Sequence, residues 1–190
     1  KISKKTKAII VVHEFGNPAD ISSILEIAKK YKLKIIEDSA CALGSSVNGK
    51  KLGTFGDIGC FSFHPRKLIS TGEGGLIVTK NKKIASYIKS LKNHGIEKKD
   101  NSINFNFAGF NYRITDFQAF IGLEQLKKIS VIISYNKKIA KLYIKYLKQV
   151  DWITLPKFNK NEITNYQSFH VITDKKINRD KLIDFLKKNQ

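Results

Sequence analysis

The sequence is poor in arginine, in cysteine and in long apolar runs. Arg66, Arg113 and Arg179 are its only arginines, although Lys and Arg together number 35 against 16 Asp and Glu, for a formal charge of +19. The excess is therefore lysine, and it is spread along every expected helix. Such a spread solvates helix faces, whereas a nucleic-acid surface gathers Lys and Arg into a patch or stripe. No nucleic-acid partner is expected. No apolar stretch reaches the roughly 20 residues that span a bilayer, so no membrane helix is expected. The opening KISKKTKAIIVVHEF is basic and then apolar, but His13 and Glu14 interrupt the short apolar part. No small-residue cleavage site follows, and the stretch does not read as a signal peptide. Cys41 and Cys60 show no paired ligand spacing. No metal site is expected, and a reduced, cytoplasmic setting fits two such thiols.

What is present is a hydrophobic content of 42%, enough for a real core. AIIVVHEF (8–15) reads as a strand, and Asp20 can cap a helix through ISSILEIAKKY with Ile21, Ile24, Leu25 and Ala28 on one face. KIIED follows as a short strand ending in two carboxylates. After a glycine-studded loop, IGCFSF and GGLIVT read as further buried strands, and NKKIASYIKSLKNHG as a helix stopped at Gly95. A long polar loop comes next. Thr115 and Gln118 have capping-box spacing ahead of FQAFIGLEQLKKI. A long amphipathic helix over about 131–150 leads to SFHVIT, read as a strand, and to a helix over 178–188.

The order implies an α/β layer with a mainly parallel sheet over 1–130, a linking helix over 131–150, and the start of a small α+β C-terminal unit over 151–190. The small unit is unfinished, since a terminal strand and helix have no sheet to join. The chain is expected to be a central excerpt of a longer protein.

In such a sheet, ligands gather outside the carboxyl ends of the strands. Asp38 sits there after KII, Ser62 and Lys67 after IGCFSF, and Thr71 to Gly75 wrap the next turn. A carboxylate, a hydroxyl, an amine and free amides could hold an anionic aldehyde cofactor: Schiff base on the amine, phosphate on hydroxyl and amides, ring nitrogen on the carboxylate. Taken singly, each has a plainer reading. Asp38 could be a loop cap, Lys67 a surface lysine, and the glycines could serve the turn alone.

IIEDSACALGS, then GKKLGTFGDIGCFSFHPRKLISTGEGGLIVT, NHG and GFNYRITDFQAFIGLEQL, preceded by VVHEFGNPADISSI, together resemble the DegT-type (DegT/DnrJ/StrS) sugar aminotransferases. The likeness runs in order and spacing from about Ala8 to Leu126. It implies a pyridoxal 5'-phosphate (PLP) enzyme of fold-type I, with an aspartate aminotransferase-like large domain, that aminates nucleotide-linked keto sugars with glutamate as donor. The resemblance makes Lys67 the Schiff-base lysine and proton shuttle, Asp38 the carboxylate under the pyridine nitrogen, and Ser62 a phosphate ligand. It makes Asn111 an asparagine that reaches a neighbouring subunit's cofactor phosphate, which implies a homodimer with a shared site. Alternatively, Asn111 only caps its loop. Arg113 and His64 become candidates for the donor or substrate, with a packed loop histidine as the alternative for His64.

Two departures stand out. Cys41 occupies a cofactor-side position, near the ring hydroxyl, where the family often has glutamine or histidine. Family members are also about twice this length, with a phosphate-binding loop and a ring-stacking aromatic upstream and the rest of the small domain downstream. Two alternatives accompany the aminotransferase reading: a PLP-dependent sugar dehydratase, although those relatives carry histidine in place of the lysine, and a noncatalytic or regulatory fragment.

Overall fold

The computed structural model describes residues 1–99 and 102–189. In chain order the elements are β1 (Ala8–Val12), α1 (Ile21–Tyr31), β2 (Lys34–Asp38), β3 (Ser46–Val47), β4 (Lys50–Lys51), β5 (Ile58–Ser62), β6 (Gly75–Val78), α2 (Lys82–Leu91), β7 (Ile96–Lys99), β8 (Ser102–Phe105), α3 (Asp116–Leu126), α4 (Ile129–Leu147), β9 (Ile153–Thr154), β10 (Glu162–Ile163), β11 (Ile172–Thr173) and α5 (Arg179–Lys188).

The main sheet has the order β1-β2-β5-β6. β1, β2 and β5 are parallel, with Val12 opposite Asp38 and Asp38 opposite Cys60, and β6 returns antiparallel with Gly75 opposite Ser62. The parallel trio brings the ends of β1, β2 and β5 to one edge. Helix α1 makes the crossover between the first two. Asp20 caps it by accepting from the Ser23 amide (3.2 Å), and Lys32 closes it in the left-handed conformation.

Strand alternation sorts the sheet faces. Val11, Ile35 and Glu37 point to the face that α1 covers, where Ile21 and Ala28 join Val47, Leu52 and Ala42 in the core. Ile10, Val12, Asp38, Cys60 and Ser62 point to the other face. There Ile10 is 67% exposed and Val12 47%, so this chain leaves that face open.

Several elements differ from the sequence-based expectation. β1 stops at Val12, because His13 turns inward and a short 3-10 helix, Glu14–Gly16, follows. The glycine-studded loop holds the small β3–β4 hairpin. GGLIVT forms a strand but not a buried one: β6 is the sheet edge, with Leu76 and Ile77 exposed. Helix α2 ends at Leu91, four residues before Gly95. The polar stretch after it is a β7–β8 hairpin whose strand Ser102–Phe105 is exposed throughout. Its apolar residues Ile103 and Phe105 alternate with polar ones yet are exposed, so the strand packs on no core that would mark it in the sequence. SFHVIT contributes only Ile172–Thr173 to a strand, paired with β9.

Candidate active site

The site is built by the loops that leave β2 and β5. Asp38 ends β2, half-buried, with Oδ1 accepting from the Ala40 amide at 3.1 Å. Across the register lies Cys60, whose thiol is pushed up first by burial and then by the negative charge of Asp38. Two residues on, and on the same face by alternation, Ser62 Oγ accepts from the His64 amide at 3.3 Å.

The chain then makes a tight excursion. The amide of Lys67 donates to the His64 carbonyl (2.9 Å), that of Thr71 to the Phe63 carbonyl (3.0 Å), and that of Phe63 to the Gly74 carbonyl (2.9 Å). Buried Ile69 anchors it from within. Helix α3 fixes it from outside: Gln125 accepts from the Ser70 amide (3.1 Å) and donates to the Ser70 carbonyl, and Gln118 donates to the Glu73 carbonyl (3.1 Å). The turn at Gly72 has φ +81, which an L side chain adopts only with strain.

These constraints hold Lys67 half-buried, with Nζ donating to Cys41 Sγ at 3.1 Å. Among the described residues, Lys67 forms no ion pair. The structure thus brings Lys67 and Cys41 into contact and sets Asp38 and Ser62 on one sheet face beside them. His64 lies on the same loop, half-buried: its Nδ1 accepts from the Arg66 amide (3.1 Å), so Nε2 carries the hydrogen that faces Glu73, at 3.9 Å. Asn111 and Arg113 form a separate exposed group, in which Arg113 Nε donates to Asn111 Oδ1 (3.0 Å) and a guanidinium nitrogen lies 3.4 Å from His94 Nε2. Asn111 also bridges to Asn93, so it does more than cap the segment before α3, whose cap is Thr115.

Four supporting residues went unseen in the sequence. Glu37, fully buried, accepts from His13 Nε2 (3.1 Å) and from the amides of Gly53 (2.7 Å), Phe55 (2.6 Å) and Gly56 (2.7 Å). Burial works to raise its carboxyl, but the His13 bond and the three amides outweigh that and hold it below the usual carboxylate range. His13 Nδ1 accepts from the Ala19 amide (3.1 Å), which leaves Nε2 as the donor to Glu37 without a second proton. A carboxylate one residue before Asp38 must face the other way, and that alternation was the available signal. Asn165, also fully buried, donates to the carbonyls of Cys41 and Leu43, both at 2.9 Å, and Gln167 donates to that of Arg66 at 3.2 Å. No local pattern marks contacts across 124 or 101 residues.

Among the described residues no cluster of His, Cys, Asp or Glu could hold a metal ion, and no helix is long and apolar enough to cross a membrane. An amine, a carboxylate, a hydroxyl and a tight turn at one sheet edge are the donor set that an aldehyde phosphate with a basic ring nitrogen requires, and the residues present fit PLP.

The model of the DegT/DnrJ/EryC1/StrS aminotransferase family matches residues 1–190. GDP-perosamine synthase of Vibrio cholerae is 37% identical over 100% of this chain and 52% of its own length. UDP-4-amino-4,6-dideoxy-N-acetyl-beta-L-altrosamine transaminase of Campylobacter jejuni is 41% identical over 76% of this chain and 39% of its own. The aminotransferase TlmJ from Streptoalloteichus hindustanus superposes with a TM-score of 0.94 at 29% identity, covering 100% of this chain and 52% of that one. The chain spans about half the length of the curated relatives it matches. Its architecture is that of the fold-type I PLP aminotransferases.

Proposed function

This chain belongs to the DegT/DnrJ/EryC1/StrS aminotransferase family, and from that premise we propose that it forms part of a PLP-dependent enzyme that passes an amino group from glutamate to a nucleotide-linked keto sugar. The observation that carries the reading is Lys67 Nζ, held against Cys41 Sγ at the carboxyl end of the sheet with no carboxylate counter-ion to displace among the described residues. PLP, when bound, supplies an electron sink for the carbon that gives up its proton.

The remaining work falls to the chain. Lys67 Nζ would tether PLP and, as a free amine, would be placed to take up and give back the proton of the donor's α carbon. The Asp38 carboxylate would keep the ring nitrogen protonated, preserving the sink. Ser62 Oγ–H would donate to the phosphate, with amides of the 71–75 turn other than those of Thr71 and Gly72, which already donate to the Phe63 carbonyl and Ser70 Oγ. Cys41, beside the tethering amine, would stand next to the bound group. Asn111 serves a neighbouring subunit's phosphate in a homodimer, which accounts for its standing apart from Lys67. Arg113 and His64 receive anionic groups of donor or substrate. The proposal includes a division into 1–130, 131–150 and 151–190, supported by the buried Thr164–Asn165 pair that ties the last unit to the first. With both cysteines free, a reducing cytoplasmic setting is part of the same proposal.

The dehydratase and noncatalytic alternatives are not favoured: the lysine position is occupied by Lys67, and the named relatives are a synthase and a transaminase of sugar nucleotides. The test is borohydride reduction of the full-length protein with PLP, followed by peptide mapping. One equivalent of label on Lys67 is expected. Label scattered over surface lysines, or none, overturns the reading.

A further inference from the structure

The two side chains that meet at the centre of the site belong to loops far apart in sequence, and one short segment holds both loops. Asn165 Nδ2 donates to the carbonyl of Cys41 itself and to that of Leu43, each at 2.9 Å. Gln167 Nε2 donates at 3.2 Å to the carbonyl of Arg66, the residue before Lys67. The two amides are also tied together, because the Gln167 backbone N–H donates to Asn165 Oδ1 at 2.9 Å. The segment is anchored in turn: the Asn165 amide donates to Ser45 Oγ (3.0 Å), and Ser45 Oγ and Thr164 Oγ1 both donate to the Gly16 carbonyl, at 2.7 and 3.1 Å. Gly16, at φ +88, leaves room for it; a Cβ there would run into Asn165 Oδ1.

We propose that Thr164–Gln167 is a positioning strap, with Asn165 and Gln167 setting the Lys67 amine by fixing the Cys41 and Lys67 loops against each other. The inference rests on the reading of Lys67 as the tethering amine. Fold stability alone does not account for Gln167, whose Oε1 is buried without a hydrogen-bond partner among the described residues. A buried unpaired acceptor opposes folding, so the residue's definite contribution is its one side-chain bond, to the carbonyl beside Lys67. Neither side chain hydrogen-bonds the side chain of Lys67 or Cys41. Both act through main-chain carbonyls of the loops that carry those side chains.

The strap makes the tethering geometry depend on the C-terminal segment. Losing one bond lets the loop relax by about the worth of a neutral hydrogen bond, a roughly two- to tenfold effect on any step that needs the amine in place.

The experiment uses the full-length holoenzyme. Gln167→Met keeps the side chain's length, deletes the donor to Arg66 and removes the orphaned acceptor, so it should fold. Asn165→Ala is the second variant, and Ile21→Val, a core trim in α1 that removes none of the strap's hydrogen bonds, is the control for lost stability. Three quantities are read: kcat against KM for the donor, the pH midpoint of the tethered cofactor's visible absorbance, and the rate of borohydride-trapped label on Lys67. Both strap variants should lower kcat and slow labelling by about two- to tenfold with KM for the donor little changed, and should shift the midpoint. Ile21→Val should change none of these. Strap variants that fold, label Lys67 at the wild-type rate and keep the wild-type midpoint overturn the strap alone. Wild-type protein that takes no label on Lys67 overturns the functional reading and the strap together.

Discussion

Replacing Glu37 by glutamine removes one charge and changes almost no volume, yet four donors converge on the carboxylate. Oε1 takes the Phe55 and Gly56 amides, and a glutamine oxygen in that place keeps both. On the other side, the new amide nitrogen would point its hydrogens at His13 Nε2–H and Gly53 N–H. His13 cannot escape by moving its hydrogen to Nδ1, since that would orphan the Ala19 amide. Two buried donors are left unpaired, at about 1–3 kcal/mol each, so the variant should lose about 4 kcal/mol at pH 7. The pH dependence follows from the lowered carboxyl. Its stabilisation is fully present above the unfolded-state value, for which the ordinary 4.5 serves, and fades as pH falls through the lower folded value. Glutamine has no such fading component, so the gap between wild type and variant should narrow in acid. The assay is urea unfolding of the full-length protein from pH 7 down through this range, with amide exchange at Gly53, Phe55 and Gly56 as the local readout. A variant within about 1 kcal/mol of wild type at pH 7, or a gap that does not close in acid, would refute the network as described.

Other outcomes follow from the same geometry. Lys67→Ala should abolish turnover and leave PLP bound but not reducible onto the protein; normal turnover would sink the mechanism. Asp38→Asn should lose most activity while keeping the fold. Because the charge of Asp38 helps hold the Cys60 thiol up, the same variant should speed alkylation of Cys60 at a fixed mildly alkaline pH, as mapped by mass spectrometry; an unchanged rate would separate the two groups. Gly16→Ala puts a methyl group into Asn165 at a positive φ. It should cost about 2 kcal/mol or more in unfolding experiments, and a neutral result would mean that the strap is loosely seated.

Much of the local structure was legible from residue spacing. Asp20, Asn81, Thr115 and Asn178 each accept from an amide two or three residues ahead. A cap acts within one turn, so spacing alone reveals it. The Thr115–Gln118 box forms as its spacing implied, with Thr115 Oγ1 accepting from the Gln118 amide at 3.2 Å. The β7–β8 hairpin was not legible. Its second strand, Ser102–Phe105, alternates polar and apolar residues, but Ile103 and Phe105 are exposed, so the alternation marks no buried face; Asp100 and Asn101 lie outside the described residues.

Residue order and spacing were enough for the parts whose physics is local: the helix caps, the parallel β-α-β order, the face on which each strand residue points, and the run of motifs that carries the family likeness. Alternation alone separates Glu37 from Asp38 and sends them to opposite faces. What each then meets depends on how distant segments pack. Glu37 meets His13 and three amides of the 53–56 loop, Lys67 meets Cys41, and Asn165 and Gln167 close over both loops from more than 100 residues away. A hydrogen bond of that reach is fixed by the packing of every element between its ends, and no period of 2 or 3.6 residues records it.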